Sequence, residues 1–216
     1  MKEIVAVSFH RLDTYGFHAL EMVQSLVEQR AQGGSYGETG VARVQCLEGD
    51  AVWAAGERGV YDKQLLQDAL DRLPRQLWGK RTVQEAAKTP VLFAIEYRDG
   101  LRANILTLKG AVGEWATAWR TADGKTHSTY FHTQEARPFS HFEHLLRGVE
   151  QMMHTGKPTW PVERTLLTSG TLDALLVSRQ QNGKRLKTPW LHIEYQSDWQ
   201  WKQPPEPAES RPLKGQ

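Results

Sequence analysis

The sequence has little of several features that would assign a function directly. Its 216 residues include a single cysteine, Cys46, which excludes an internal disulfide and leads us to expect a reducing compartment, the cytoplasm. No apolar run approaches the roughly 18 residues of a membrane span, and residues 1–9 lack a signal-peptide pattern. The formal net charge of only +2 gives no reason to expect nucleic acid or a membrane as a partner.

Motifs for phosphate and metal binding are also missing. Residues 34–40 are glycine-rich, but they follow a predicted helix and precede a predicted strand, whereas a dinucleotide loop follows a strand and opens a helix. We interpret them as a flexible connection. His141 and His144 share a helix face, but a zinc site needs a third ligand, so a zinc hydrolase is the least favoured alternative and no metal is predicted. Cys46 lies in an alternating apolar segment, which is typical of a packed strand residue rather than a nucleophile.

Periodicity and turn signals are present along most of the chain. They predict helices at residues 14–31, 61–73, 140–155 and 161–182, and strands at 2–9, 41–47, 90–97, 101–109, 112–120, 125–133 and 188–195. Asp99-Gly100 and Asp123-Gly124 are hairpin signals, so we expect residues 90–133 to form an antiparallel meander. Residues 75–89 are expected to be a surface connection, and the proline-rich residues 198–216 a disordered tail.

Runs of strands beside separate helices indicate an α+β fold with helices packed on one face of the sheet. The other face must be covered by something else or be polar. The third helix is expected to turn an apolar inner face to this core. That face comprises Phe142, Leu145, Leu146, Val149, Met152 and Met153.

His18 is the strongest candidate for chemistry. We expect it in the first turn of the helix at residues 14–31, directly after the first strand. A neutral imidazole can accept the hydroxyl proton of a substrate alcohol, and Asp13 or Glu21 could orient it. The alternative is a histidine that packs at a helix start with its hydrogen bond satisfied.

Two further groups of residues leave alternatives open. Trp115, Thr117 and Trp119 share one strand face, where the tryptophans either are exposed to stack on sugars or a partner subunit, or are buried beneath helices. Lys184, Arg185 and Lys187 form a small basic run, which is typical of a solvated helix end.

Residues 13–21, Asp-Thr-Tyr-Gly-Phe-His-Ala-Leu-Glu, resemble the Asp-x-Gly-x-His-x-x-Asp signature that opens the C-terminal domain of Gfo/Idh/MocA oxidoreductases. This family includes glucose–fructose oxidoreductase and inositol dehydrogenase. The resemblance spans about residues 1–196 and only the C-terminal half of such proteins. Further stretches are similar to one branch of the family, at residues 37–41, 44–53, 96–103, 161–170 and 188–193.

The resemblance implies that residues 1–197 form a domain on an open, mixed, largely antiparallel sheet, whose free face often forms a subunit interface. We therefore expect a homo-oligomer. Family members oxidise sugars, cyclitols or related polyols with NAD or NADP, which an N-terminal Rossmann domain holds. His18 maps to the family's catalytic histidine, Thr14 occupies the position of its aspartate, and Asp13 stands one residue earlier. The family's lysine and glycine-rich fingerprint belong to the other half.

The expected function is the substrate-binding and oligomerisation domain of an NAD(P)-dependent oxidoreductase, as a fragment or a stand-alone relative. His18 would move the proton, and Asp13 or Glu21 would tune it. This chain alone is expected to bind no cofactor and to be inactive. The alternative is a non-catalytic module that binds a sugar-like ligand or only oligomerises.

Overall fold

The computed structural model describes residues 1–9, 12–32, 35–133 and 140–197, so the predicted tail at 198–216 lies outside the described residues. Helices and strands alternate first, four strands follow in succession, and two long helices come near the end. In chain order the elements are β1 (Glu3–Ser8), α1 (Leu12–Val27), β2 (Ala31–Gln32), β3 (Ser35–Glu38), β4 (Val41–Glu48), α2 (Asp50–Glu57), α3 (Lys63–Asp71), α4 (Val83–Ala86), β5 (Val91–Tyr97), β6 (Arg102–Thr107), β7 (Trp115–Arg120), β8 (Thr126–Phe131), α5 (Ser140–Thr155), α6 (Val162–Gln180), β9 (Leu186–Lys187) and β10 (Tyr195–Gln196), with a 3-10 turn at Pro189–Leu191.

Seven strands form one sheet in the order β8-β7-β1-β6-β5-β4-β9. β1 is parallel to β6, and the other neighbouring pairs are antiparallel, which confirms the predicted α+β class with a mixed, largely antiparallel sheet. The predicted meander is wrong in one respect, because β1 lies between β6 and β7 and separates the two hairpins. All six residues of β1 are buried, and a strand buried on both faces belongs at the centre of a sheet.

The two Asp-Gly turns lie where the sequence predicts them. Gly100 joins β5 to β6 with a φ of 89°, and Gly124 joins β7 to β8 with a φ of 87°. Residues with a side chain rarely adopt such positive φ angles, so glycine is the residue that these turns require. The turns account for the pairing of both predicted hairpins.

α1 and α6 pack together on one side of the sheet, which we call the helix face. Gly16 of α1 approaches β5 and α6 closely, since an added Cβ would lie 3.3 Å from both Phe93 and Leu172. The hydroxyl of Ser178 in α6 accepts the backbone N–H of Cys46 at 3.0 Å. Cys46 is a buried strand residue, as predicted, and burial raises the pKa of its thiol to about 12.

The opposite face carries the side chains that alternate with Phe93 and Cys46 along the strands. α3 covers this face over β1 and β7, beginning at Asp62, whose carboxylate accepts the N–H groups of Gln64 and Leu65 at 2.8 and 3.2 Å. Over part of β4, β5 and β6 the same face carries polar side chains, among them Arg43, Glu96 and Asn104. The prediction of helices on one face therefore holds for α1 and α6 only, and the other face is partly covered and partly polar.

Several short segments differ from their predicted structure. The connection predicted at residues 32–40 contains part of β2 and all of β3, which form a second small sheet with β10. The strand predicted at residues 188–195 is mainly a 3-10 turn and its flanking residues. α2 and α4 lie in segments without a predicted helix. These elements are short, and β3 pairs with a strand from the far end of the chain, so local periodicity carries little signal for them.

α5 forms as predicted, but its apolar side does not face the core. Of its residues 141–155, Gly148 alone is buried, next to the indole of Trp160. Leu146 and Met153 are 64% and 80% exposed, and the predicted inner face is wrong. Helical spacing shows which side chains share a face, whereas the covering of that face depends on other segments.

Candidate functional site at the end of β1

The predicted catalytic residue lies near the carboxyl end of the only parallel strand pair among the described residues. β1 and β6 end side by side, where the buried hydroxyls of Ser8 and Thr107 are 3.1 Å apart. His18 follows on α1 and is exposed. Because α1 begins at Leu12, His18 lies in the second turn of the helix and not in the predicted first turn.

Aromatic rings surround one side of the His18 imidazole. The ring centroid of Tyr15 lies 5.8 Å from that of His18 and 5.9 Å from that of Trp115, and Phe9 lies 5.1 Å from Trp115. The ring centroid of Phe17 lies 6.1 Å from that of His18. We call these five residues the His18 corner. It combines an exposed proton acceptor with an aromatic wall.

Trp115 has a buried donor at this corner. Its side chain is 3% exposed, and its indole N–H has no hydrogen-bond acceptor among the described residues. Thr117 is also buried and donates to the carbonyl oxygen of Val5 at 3.0 Å, whereas Trp119 is half-buried and stacks on His127 at 5.6 Å. Of the two alternatives for these residues, exposure or burial, the structure supports burial, although Trp119 is only half-buried.

The predicted partners of His18 have different surroundings. Both carboxylate oxygens of Glu21 are occupied, because Arg164 pairs with one and the hydroxyl of Thr168 donates to the other at 2.6 Å. Within the described part of the chain, no hydrogen bond joins Glu21 to His18. Asp13 lies in the first turn of α1, and its side chain is outside the described part of the structure. The geometry thus groups His18 with Tyr15 rather than with Glu21.

A buried polar network lies further along α1, and the sequence analysis missed it. Gln24 donates to Glu38 at 2.7 Å and to the hydroxyl of Tyr195 at 2.8 Å, and it accepts from Tyr97 at 2.9 Å. Arg30 pairs with Glu38 at 2.7 Å. Burial raises the pKa of Tyr97 well above its ordinary value. The network ties α1 to the small sheet and is fully hydrogen-bonded, which indicates a structural role.

A cavity of about 220 Å³ opens on the opposite face of the sheet, over β4, β5 and β6. His18 and Glu21 do not line it. Its walls carry several arginines, including Arg185 of the predicted solvated run. The sequence contains no motif for this site, because its arginines come from separate segments.

The described residues contain neither a cluster of metal ligands nor a helix that could span a membrane. Among them, no group of three histidine, cysteine, aspartate or glutamate side chains could hold a metal ion, and His141 and His144 find no third ligand. No helix there is long and apolar enough to cross a membrane.

Within the described residues, no glycine-rich loop joins a strand to a helix N-terminus. Of the glycine-rich segment at 34–40, residues 35–38 form β3, which leads into another strand and not into a helix. β4 is followed by a helix, α2, but that turn contains Gly49 alone. A dinucleotide loop needs several glycines between a strand and a helix N-terminus.

Comparison with known proteins adds no further constraint. No protein-family model, no curated protein and no solved structure matches the chain.

Proposed function

We propose that this chain is the substrate-side domain of an oxidoreductase similar to the Gfo/Idh/MocA family. In this proposal a sugar, cyclitol or related polyol binds at the His18 corner, and His18 accepts the proton of a ligand hydroxyl. The observation that carries the proposal is the exposed imidazole of His18 beside the ring of Tyr15, which in turn lies beside Trp115. The resemblance of residues 13–21 to the family signature agrees with this placement.

The chemistry of the corner suits a polyhydroxyl ligand. Sugar and cyclitol rings have apolar C–H faces that pack on aromatic rings, and hydroxyls that need polar partners. Tyr15 and Phe9 supply aromatic surface, and His18 supplies a nitrogen that can accept a hydroxyl proton. In open sheets, ligands commonly bind beyond the carboxyl ends of parallel strands, which is the position of this corner relative to β1 and β6.

The proposal assigns no redox cofactor to this chain. Because no glycine-rich loop joins a strand to a helix among the described residues, the proposal assigns NAD or NADP to another domain, which would supply the hydride acceptor. The chain contributes the binding and orientation of the polyol and the movement of its proton. By itself it is expected to have no dehydrogenase activity.

A second candidate is a non-catalytic module that binds a sugar-like ligand or only oligomerises. The engagement of Glu21 with Arg164 and Thr168 favours it, because a base normally has a partner that orients it.

Self-association through the open part of the opposite face also remains a prediction, and light scattering would measure the oligomeric state. A cytoplasmic location belongs to the proposal and is supported by the single, buried Cys46.

The first test is an NMR titration of the histidine imidazoles with myo-inositol and with glucose. We expect the signals of His18 to shift in a saturable way. His192, which is 47% exposed and pairs with Glu194 at 2.8 Å, serves as an internal control and should not shift. If no histidine signal responds to any polyol, the proposed ligand class is wrong.

Two tyrosine variants separate a specific site from general contact. Tyr15→Leu should weaken polyol binding by roughly fivefold to tenfold, since one aromatic contact contributes about 1 kcal/mol. Tyr130→Leu is the matched control, because Tyr130 also lies beside a histidine, 6.2 Å from His132, but on β8.

Where the chain works with a nucleotide-binding domain, His18→Ala should lower turnover by about 10²–10⁴-fold. An unchanged turnover would leave only the second candidate.

A further inference from the structure

The cavity on the opposite face contains more positive charge than its carboxylates balance. Arg43 comes from β4, Arg58 from the end of α2, Arg102 from β6, and Arg185 from the residue before β9. Four segments that are distant in sequence thus bring a guanidinium group to one cavity. Such convergence is a property of the tertiary structure and not of a local basic run.

Two carboxylates neutralise part of this charge. Glu96 lies between two of the arginines, pairing with Arg43 at 2.6 Å and also with Arg185. The buried Glu3 pairs with Arg102. Arg58 is exposed, and its side chain has no ion pair or hydrogen bond with any residue in the described ranges. Four guanidinium groups therefore face two carboxylates, and two positive charges remain.

The floor of the cavity positions these groups. Asn104 is 2% exposed, and its side-chain amide donates to the carbonyl oxygen of Val60 at 3.3 Å. Arg102 donates to the carbonyl oxygen of Gly59 at 3.1 Å. Both bonds attach the turn that follows Arg58 to strand β6. The unpaired guanidinium thus projects from a segment that the sheet itself holds in place.

A purely structural role explains this arrangement poorly. Exposed ion pairs such as Arg185–Glu96 typically contribute about 0–1 kcal/mol, and crowding four like charges in one concave surface opposes folding. A second copy of the chain placed against this surface would bring the same excess of positive charge, so self-association through this face would itself need an anion between the two copies. A bound anion would lower the repulsion among the four arginines of one chain and also the repulsion between two copies.

We propose that this cavity binds a compact dianion of the phosphate class, either inorganic phosphate or the phosphate group of a small phosphorylated metabolite. A phosphate carries about 1.5 to 2 negative charges at neutral pH, which matches the two unbalanced positive charges. Its oxygens accept paired hydrogen bonds from guanidinium groups, whereas a single carboxylate would neutralise only half of the excess. The site lies across the sheet from α1, so it is independent of the function proposed for His18.

The test is calorimetric titration of the full chain with inorganic phosphate at low ionic strength, followed by glucose 6-phosphate, glucose and acetate. We expect phosphate to bind and acetate to bind much more weakly. Any heat from glucose should be the same for Arg58→Gln as for the unchanged chain, because the polyol site proposed at His18 lies across the sheet. Tighter binding of glucose 6-phosphate than of phosphate would identify a phosphorylated metabolite as the ligand, and equal affinity would identify free phosphate. Arg58→Gln and Arg185→Gln should each weaken phosphate binding by roughly tenfold, since each removes charged hydrogen bonds.

Arg147→Gln is the matched control for Arg185→Gln. The side chains of Arg147 and Arg185 are both 61% exposed and both pair with a glutamate, but Arg147 lies on α5. Thermal unfolding of each variant verifies that it is folded. Equal phosphate affinity in all three variants, or acetate binding as tight as phosphate at matched ionic strength, would contradict the proposal. Loss of a dimer in the cavity variants without any phosphate binding would also overturn it, in favour of an interface between copies.

Discussion

Arg164 joins α6 to α1 through two carboxylates on the same side of α1. Its Nε donates to the oxygens of Glu28 at 3.2 and 3.0 Å, and its Nη1 pairs with Glu21. Glu28 is fully buried and also accepts from the hydroxyl of Tyr195 at 2.6 Å. Burial and the charge of Glu28 raise the pKa of Tyr195 well above its ordinary value. Such a carboxylate stays charged in the interior only while its partners neutralise it.

Replacing Arg164 should therefore destabilise the protein strongly. We expect Arg164→Met to lower the free energy of unfolding by about 3–5 kcal/mol, because Glu28 would keep a buried charge without its cation. Arg147→Met removes an ion pair from the surface of α5 and should change it by less than about 1 kcal/mol. Urea denaturation measures both values. Equal effects of the two substitutions would show that the buried pair contributes no more than a surface pair.

Single residues were the hardest level to predict from the sequence. Glu21 stands three residues after His18, so the sequence suggested that it orients the imidazole, but the carboxylate meets Arg164 from a distant helix. Glu38 lies in a segment interpreted as a flexible connection, yet it is buried and pairs with Arg30. A side chain's partner depends on segments that local spacing does not describe.

Helices and strands were predicted well where their periodicity is long. α1, α3, α5 and α6 lie near their predicted positions, and so do the strands of the large sheet except β9. What covers each element was predicted less well, and α5 is the clearest example. Short elements such as β2 were missed, because two or three residues give no measurable period.

The different surroundings of α5 and α6 predict that the same substitution destabilises the protein strongly in one helix and hardly at all in the other. Leu146 of α5 is 64% exposed, whereas Leu175 of α6 is fully buried. Leu175→Ala should lower the free energy of unfolding by about 2–5 kcal/mol, since it removes buried methyl groups and leaves a cavity. Leu146→Ala should change it by no more than about 0.5 kcal/mol. A large loss from Leu146→Ala in the isolated chain would mean that α5 packs its apolar side against the protein.

The beginning of α3 predicts a pH dependence of stability. Burial alone would raise the pKa of Asp62, but hydrogen bonds from Arg120 and from the N–H groups of Leu65 and Gln64 outweigh burial and hold it below its ordinary value of 3.8. A lowered carboxyl pKa means that the folded state favours the charged form. The resulting stabilisation is present above the ordinary pKa and is lost as the pH falls through the folded value.

Two substitutions at Asp62 test this dependence in chemical denaturation series from neutral to acidic pH. Asp62→Asn keeps a capping oxygen but no charge, so its stability deficit relative to the natural chain should shrink below about pH 4. Asp62→Ala loses the cap as well, and should remain less stable than Asp62→Asn by about 1 kcal/mol throughout. A deficit of Asp62→Asn that stays constant to the lowest pH would exclude a role for the carboxylate charge.

At the scale of the whole molecule, the sheet separates two candidate sites. The His18 corner lies on α1 and at the carboxyl end of β1, and the arginine-lined cavity lies across the sheet between α2 and β9. The sequence pointed to the first, because His18 stands in a recognisable local pattern. It offered no indication of the second, since Arg43 and Arg185 become neighbours only when β4 pairs with the end strand β9.

The sequence by itself determined the kinds of the long elements, the Asp-Gly hairpins and the placement of His18 on α1, because these depend on residues that are close along the chain. The tertiary structure alone decided that β1 lies between β6 and β7, that α3 covers part of the opposite face, and that Glu21 pairs with Arg164. It also brought four arginines to one cavity. These outcomes depend on contacts between distant segments, in which burial and charge pairing are satisfied for the whole chain together.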